Sequence, residues 1–283
     1  MVVADIPKEP WHIRYAEDPE LFEELNAKPA RITINGKRHY HTPFLTGPAP
    51  SVTTIISETA SEANKKKLEM WAKNNPGMKE AAAARGTAIH ACMEKYLKRE
   101  EFEVPGEYGK FWDGMPTLLD QFQEVIWAET PLWEKHKFAL SEDGVGRIWG
   151  CDKEGRAWSG SPDIIGVANN KLTLADLKTS TGLYYRRWPK GLEKGSLEWR
   201  LNLSGYIKFQ KACKQLGAYS LGIKQTLGMS VQQAAVIVAT EERTQLFIIS
   251  RRLLDIMEEK WLKIVEEYYE QKMNESDYDP DLV

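Results

Sequence analysis

The chain has little cysteine, and what it has is scattered. Cys92, Cys151 and Cys213 are the three cysteines of 283 residues, and no two form a CxxC pair. Such a set cannot supply the four thiolates of an ordinary structural zinc or iron–sulfur site, and it suits a reducing compartment. Long apolar runs are missing too. No stretch approaches the roughly 18 residues that a membrane-spanning helix needs, and the N-terminal MVVADIPKEPWHIRYAEDP has neither the basic start nor the apolar core of a signal peptide. A cytoplasmic location with no membrane partner is therefore expected. A large net charge is also absent, since 38 Lys and Arg against 41 Asp and Glu leave −3. Taken alone, that balance argues against a surface coated in positive charge for nucleic acid. The one surplus is aromatic, with ten Trp and eleven Tyr. Rings in that number fill a large core or serve as stacking platforms, and composition leaves both open.

No internal repeat, low-complexity segment or linker separates two cores, so the chain reads as one domain. Residues 1–30 are acidic and proline-containing and read as a surface segment. RITINGKRHYHTP alternates about Asn35-Gly36, which predicts a hairpin. PAPSVTTIIS then leads to Ser61, a candidate N-cap for a helix through NKKKLEMWAKNN that stops near Pro76. A second helix is expected from Met78 to Arg99, where Ala81 to Ala84 are strong helix formers, and a third from about Thr117 to Ala128. Strands are expected in TPLWEKHKFAL, then, past a Gly-rich turn region, in RAWSGSPDIIGVA and LTLADLKTS. A linker rich in Gly, Arg and Trp leads to a helix from about Ser196 to Leu216, strands AAVIVAT and QLFIIS, and a closing helix from Leu253 to Met273 before an acidic tail. The fold class is α/β. A hairpin and helical cap occupy 1–115, a core 116–250, and a final helix and tail 251–283.

The most informative stretch runs from Ser159 to Ser180. If Asn169-Asn170 is a two-residue turn, Ala168 pairs with Lys171 and the ladder brings Asp163 directly opposite Asp176. Ile165, Val167, Leu172 and Leu174 share that face, while Ile164, Ala175 and Leu177 line the other, so the hairpin is apolar on both sides and central in its sheet. If Asn170-Lys171 forms the loop instead, the carboxylates become diagonal neighbours, still within reach of one ion. Opposed like charges in a buried hairpin are destabilising unless a cation or a shared proton resolves them, and a divalent metal does so most simply. Lys178, two residues past Asp176, falls on the same face. Oxygen ligands of this kind suit Mg²⁺ or Mn²⁺, which polarise phosphoryl oxygens and acidify bound water. The lysine could orient that water or neutralise developing charge.

Pro162-Asp163, twelve intervening residues and Asp176-Leu177-Lys178 together resemble the active-site signature of the PD-(D/E)XK nuclease superfamily. RGTAIHACMEKYL, with Arg85-Gly86-Thr87 leading to His90, is similar to the GxxxH helix of the RecB-like exonucleases. PSVTTIISET followed by KKKLEMWA resembles the opening of phage-encoded exonucleases and of the mitochondrial genome maintenance exonuclease, and DLKTS is typical of the same group. The resemblance covers residues 50–210. It implies a restriction-endonuclease-like core, a central mixed sheet flanked by helices, and a metal-dependent DNA exonuclease. His90, Asp163, Asp176 and the Leu177 carbonyl would then bind Mg²⁺ or Mn²⁺, with Lys178 as the catalytic lysine. The imidazole favours Mn²⁺ on softness grounds. Glu94, four residues from His90 on one helix face, either orients the imidazole or makes a surface pair. The group usually carries QxxxY on the helix after the lysine strand. NLSGY departs from it, offering Asn202 and Tyr206 at the same spacing with a shorter amide. The cysteine cluster of CRISPR-associated RecB-like relatives is absent, so no iron–sulfur cluster is expected. A phage or bacterial source is implied by the resemblance alone.

Charge is unevenly spread. From Lys178 to Lys224 ten Lys and Arg face two Glu, a local +8, so the remainder carries −11. A protein polarised in this way can draw a polyanion to one face. Arg186 and Arg187 interleave there with Tyr184, Tyr185, Trp188 and Trp199, as a groove for single strands requires, and Lys65, Lys66, Lys67 and Trp71 repeat the combination earlier. With Arg85, Thr179, Ser180, Asn202 and Tyr206, these are the expected contacts to single-stranded DNA. The helices before residue 100 are expected to arch over the hairpin and pass a strand across the metal. A flap endonuclease shares this chemistry, and a non-catalytic DNA-binding component of a replication or recombination complex is the other alternative.

Overall fold

Asn35 and Gly36 both take positive φ, +50° and +74°, and so close β1 (Arg31–Ile34) and β2 (Lys37–Tyr40) into the expected two-residue hairpin. The structure, a computed structural model, describes residues 31–41, 47–128, 130–131 and 147–274. The N-terminal acidic segment, most of TPLWEKHKFAL and the acidic tail lie outside the described residues. β3 (Ala49–Pro50) adds to β2, and Ser51 then caps α1 (Val52–Glu58) by accepting the Thr54 N–H at 2.9 Å. Sequence pattern assigns no element there, because five of its seven residues, all those before Ser57, are β-branched. Burial of Val52, Thr54, Ile55 and Ile56 outweighs that weak propensity.

α2 (Glu62–Asn74) and α3 (Met78–Lys98) follow with the expected bounds. Two short helical turns, Gly109–Trp112 and Met115–Leu119, come next. The long helix expected over 117–128 is a correction. Only its first residues are helical, and Phe122–Ala128 form β4. The helical spacing of Leu118, Leu119, Phe122, Val125 and Ile126 misled because β4 carries two register shifts against β8, which destroy the alternation of a regular strand.

Among the described residues the central sheet is mixed and has six strands, ordered β11 (Thr244–Ser250), β10 (Gln233–Ala239), β9 (Lys171–Thr179), β8 (Ile164–Ala168), β4 and β5 (Thr130–Pro131). β9 and β10 are parallel and are joined through α4 (Leu197–Leu227); the other pairs are antiparallel. Its two faces carry separate cores, as the apolar residues on both sides of the hairpin require. Ile165, Leu174, Val236 and Val238 pack under α4 and the closing helix α5 (Arg251–Asn274). Ile164, Ala175, Leu177 and Ile237 pack with Ile89, Met93 and Leu97 of α3.

β6 (Ile148–Cys151) and β7 (Ala157–Gly160) make a small second sheet, with β6 inside what the sequence presents as a Gly-rich turn. An isolated parallel bridge from Ser51 to Ser159 ties β7 to the N-terminal hairpin. Trp127, Trp149, Trp158 and Trp261 are fully buried, so part of the aromatic surplus is core. The single expected strand RAWSGSPDIIGVA is two, broken at Ser161-Pro162-Asp163.

α4 runs eleven residues past its expected end. Gly217 and Gly222 resemble stops but lie inside the helix, where a Cβ at Gly217 would sit 2.5 Å from the Met257 carbonyl of α5. They mark close approach rather than termination. Gly217→Ala should therefore cost about 2 kcal/mol and lower the melting temperature by roughly 4–8 °C, whereas Gly182→Ala, facing open space, should leave it unchanged. Thermal denaturation followed by circular dichroism checks both.

Candidate active site

The site is built by a mismatch in strand length. Asn169 and Asn170 take φ +52° and +59°, the two-residue turn holds, and Ala168 pairs with Lys171 out to Ile164 with Ala175. β8 begins there, but β9 continues to Thr179. Within a strand, one residue's N–H and C=O point to the same side, so both groups of Leu177 face the gap that β8 does not fill. Asp163, just before β8, accepts the Leu177 N–H through Oδ2 at 2.6 Å. His90 of α3 approaches the Leu177 carbonyl with Nε2 at 3.2 Å. A carbonyl only accepts, so a hydrogen bond there requires the tautomer with its proton on Nε2. The other ring nitrogen lies 3.6 Å from Asp163 Oδ1.

On the α4 face of β9, Asp176 and Lys178 pair. The ammonium sits 2.8 Å from each carboxylate oxygen, but hydrogen-bond geometry is met only at Oδ1. Oδ2 is left buried without a hydrogen bond, in a residue only 1% exposed. Burial pushes the Asp176 carboxyl up to about 6; Lys178 pulls it back, and the Asp163 charge adds to the rise. Burial also works against the Lys178 charge, but Asp176 and Asp163 outweigh it and hold the ammonium above the ordinary lysine range. One half-buried ammonium, bonded to Asp176, thus faces the charge of two buried carboxylates, and a proton or second cation is favoured at Asp176.

The expected residues fall into three groups. His90, Asp163, Asp176, Leu177 and Lys178 converge, although as a hydrogen-bonded network. Among the described residues no three His, Cys, Asp or Glu side chains are gathered as a metal cluster. Thr179, Ser180 and Arg85 adjoin it. A Cβ on Gly86 would lie 3.7 Å from the Thr179 hydroxyl, Lys208 donates to Ser180 at 3.1 Å, and the Arg85 guanidinium lies 4.8 Å over the Phe111 ring. Lys66, Lys67 and Trp71 stand on α2, which buries no residue.

The third group is engaged elsewhere. Asn202 gives its amide to the Glu198 carbonyl one turn back, and Tyr206 packs edge-on against Trp188 at 5.7 Å. Arg186 donates to the Ile248 carbonyl at 2.6 Å and lies over Phe247, whereas Arg187 is exposed. Glu94 makes the surface pair, with Lys98 at 2.5 Å. Tyr184 is no stacking platform: it is buried, and burial pushes its phenol up to about 12 beside Lys178 and Asp176.

Lys208 and Lys211 join the site, though their sequence signal was only a place in the basic segment. Desolvation by the surrounding chain, then neighbouring cations, Arg85 for the first and Lys178 with Lys214 for the second, hold both below the ordinary lysine range, although both side chains reach the surface. Crowded cations of this kind suit an anion.

No family model matches this sequence, and no curated protein does. Among solved structures the chain is similar to SSO0001, at 15% identity over 93% of this chain and 87% of that one, with a TM-score of 0.38. A Eubacterium rectale protein provisionally named an exonuclease shares 13% identity over 67% and 68% of the two chains, also at 0.38. No helix among the described residues is long and apolar enough to cross a membrane.

A carboxyl with a raised folded pKa holds its proton more tightly folded than unfolded. Its stabilising contribution is full below the usual value of 3.8 and is lost as pH rises through about 6. In chelator, the wild-type melting temperature should therefore fall relative to that of Asp176→Asn across this window. Parallel curves for the two proteins would contradict the raised carboxyl.

Proposed function

We propose that the chain is a metal-dependent DNA exonuclease of the PD-(D/E)XK type, hydrolysing phosphodiester bonds in single strands or frayed ends. The observation that carries this is the pair of buried carboxylates, Asp163 and Asp176, beside the half-buried Lys178 at the open edge of β9, with Asp176 Oδ2 buried and making no hydrogen bond although the Lys178 ammonium lies 2.8 Å away. A binding module has no use for opposed buried carboxylates, which cost stability unless a cation resolves them. Asp163, Asp176 and the Leu177 carbonyl are oxygen donors of the kind Mg²⁺ and Mn²⁺ take, and His90 supplies the softer donor that favours Mn²⁺. Such an ion, when bound, supplies Lewis-acid polarisation of a phosphoryl oxygen and an acidified water.

The chain's own residues do the rest. Lys178 keeps its proton, so it acts as a hydrogen-bond donor and a fixed positive charge, orienting water or balancing charge on the phosphoryl oxygens. It is not a base. Asp163 holds the backbone of Leu177 through its N–H and thereby aims the neighbouring carbonyl. Arg85, Lys208 and Lys211 add positive charge for the strand backbone, which is attraction to phosphate and carries no base code.

Strand entry fits the N-terminal helices. Ile89, Met93 and Leu97 anchor the second half of α3, whereas Met78 to Ala84 are exposed and α2 buries nothing. Leu68, Met70 and Trp71 are exposed beside Lys66 and Lys67, a combination that pairs stacking with charge. On this reading the two helices form the arch through which a free end passes.

End-labelled linear and circular single strands incubated with Mg²⁺ or Mn²⁺ test the proposal. Linear strands should be degraded and circles should resist; equal cutting of both would remove the exonuclease claim. Lys178→Ala and Asp176→Asn should still bind DNA but lose activity by about 100-fold or more. Full activity in either would place the active site elsewhere.

A further inference from the structure

We propose that the open cleft between the β1–β2 hairpin and α1 is a phosphate-binding subsite that takes a backbone phosphate of the strand lying on the Asp163 and Asp176 site. The strand assignment rests on the nuclease reading above. The cleft, about 410 Å³, is lined by Arg31, Thr33, Lys37, Arg38, Thr53 and Ser57 among others, and no carboxylate lines it. Its charge follows from the hairpin register. Thr33 faces Arg38 and Arg31 faces Tyr40, so the two arginines share one face as diagonal neighbours, about 7 Å apart.

Like charges at that spacing repel unless something negative lies between them. Lys37 has its acid in Glu58, at 2.5 Å. Arg31 and Arg38 are exposed, and among the described residues neither guanidinium has a hydrogen-bond or ion-pair partner. Guanidinium forks match phosphate bidentately. The Thr33 hydroxyl across from Arg38, and Thr53 and Ser57 on the opposite wall, add hydroxyl groups.

The cleft is also fastened to the candidate active site. The Arg38 carbonyl accepts from the Ser51 N–H at 2.9 Å and the Thr54 hydroxyl at 2.8 Å. Ser51 bridges to Ser159, four residues before Asp163. Buried Tyr219, packed close to Gly160 between Ser159 and Asp163, is within electrostatic influence of Asp176 and Asp163 and of Tyr40 and Arg38 of the hairpin.

Fluorescence anisotropy of labelled oligo(dT) in chelator, where no cutting occurs, tests this. Arg31→Ala/Arg38→Ala should bind several-fold more weakly between about 50 and 200 mM salt, with the salt slope smaller by about 0.7 for each phosphate no longer neutralised. Arg252→Ala/Lys263→Ala removes the same charge from α5 and should bind as wild type. Equal weakening in both double variants, or none in either, overturns the subsite. If the cleft variant loses only the competing effect of inorganic phosphate while oligonucleotide affinity stays unchanged, the strand assignment falls. Binding that follows the prediction in a protein that never cuts DNA would defeat the nuclease reading and leave the subsite standing.

Discussion

Everything at the site depends on how the backbone of Leu177, left without a partner on β8, is satisfied. β9 runs past the start of β8, and a strand edge buried without partners costs about as much as the hydrogen bonds it fails to make. Asp163 takes the N–H and His90 approaches the C=O. Three distant pieces of chain are thereby joined at one residue: α3, the lead-in to β8, and the end of β9. The same arrangement leaves Asp176 and Lys178 facing inward beside Asp163, where burial turns an ordinary carboxylate into one that prefers a proton or a cation.

Much of this was legible in the sequence because it is local. Asn169-Asn170 sets a two-residue turn and the turn sets the register, but the ladder ends at Ile164 with Ala175, so Asp163 lies just outside it and turns to the Leu177 N–H instead of pairing directly with Asp176. α2 and α3 were equally readable from Ser61, the alanine run and the punctuation at Pro76-Gly77. The misses share a cause in tertiary contact. α1 is helical despite its β-branched residues because it is buried, and β4 carries helical spacing because its ladder is irregular. α4 ignores Gly217 because α5 lies against it. Tyr184 and Asn202 were misplaced for another reason: a position in a motif says nothing of which way a side chain turns.

Charge and aromatics resolve in the same way. The total of −3 hides a basic stretch whose members have different fates. Lys208 and Lys211 crowd the site, Arg186 is tied to Ile248 and Phe247, and Arg187 is exposed. The tryptophans divide as well. Among the described residues four are fully buried, while Trp71 and Trp188 are 43% and 48% exposed and each lies within a few residues of lysine or arginine in the sequence. Burial decides which ring is core and which can meet a ligand.

The central claim is that the buried carboxylates exist to hold a divalent cation. Calorimetric titration of Mn²⁺ into metal-free protein tests it without any substrate. Saturable binding in the wild type, abolished in folded Asp163→Asn and Asp176→Asn, is the predicted result. No binding in the wild type, or unchanged binding in both variants, would contradict it.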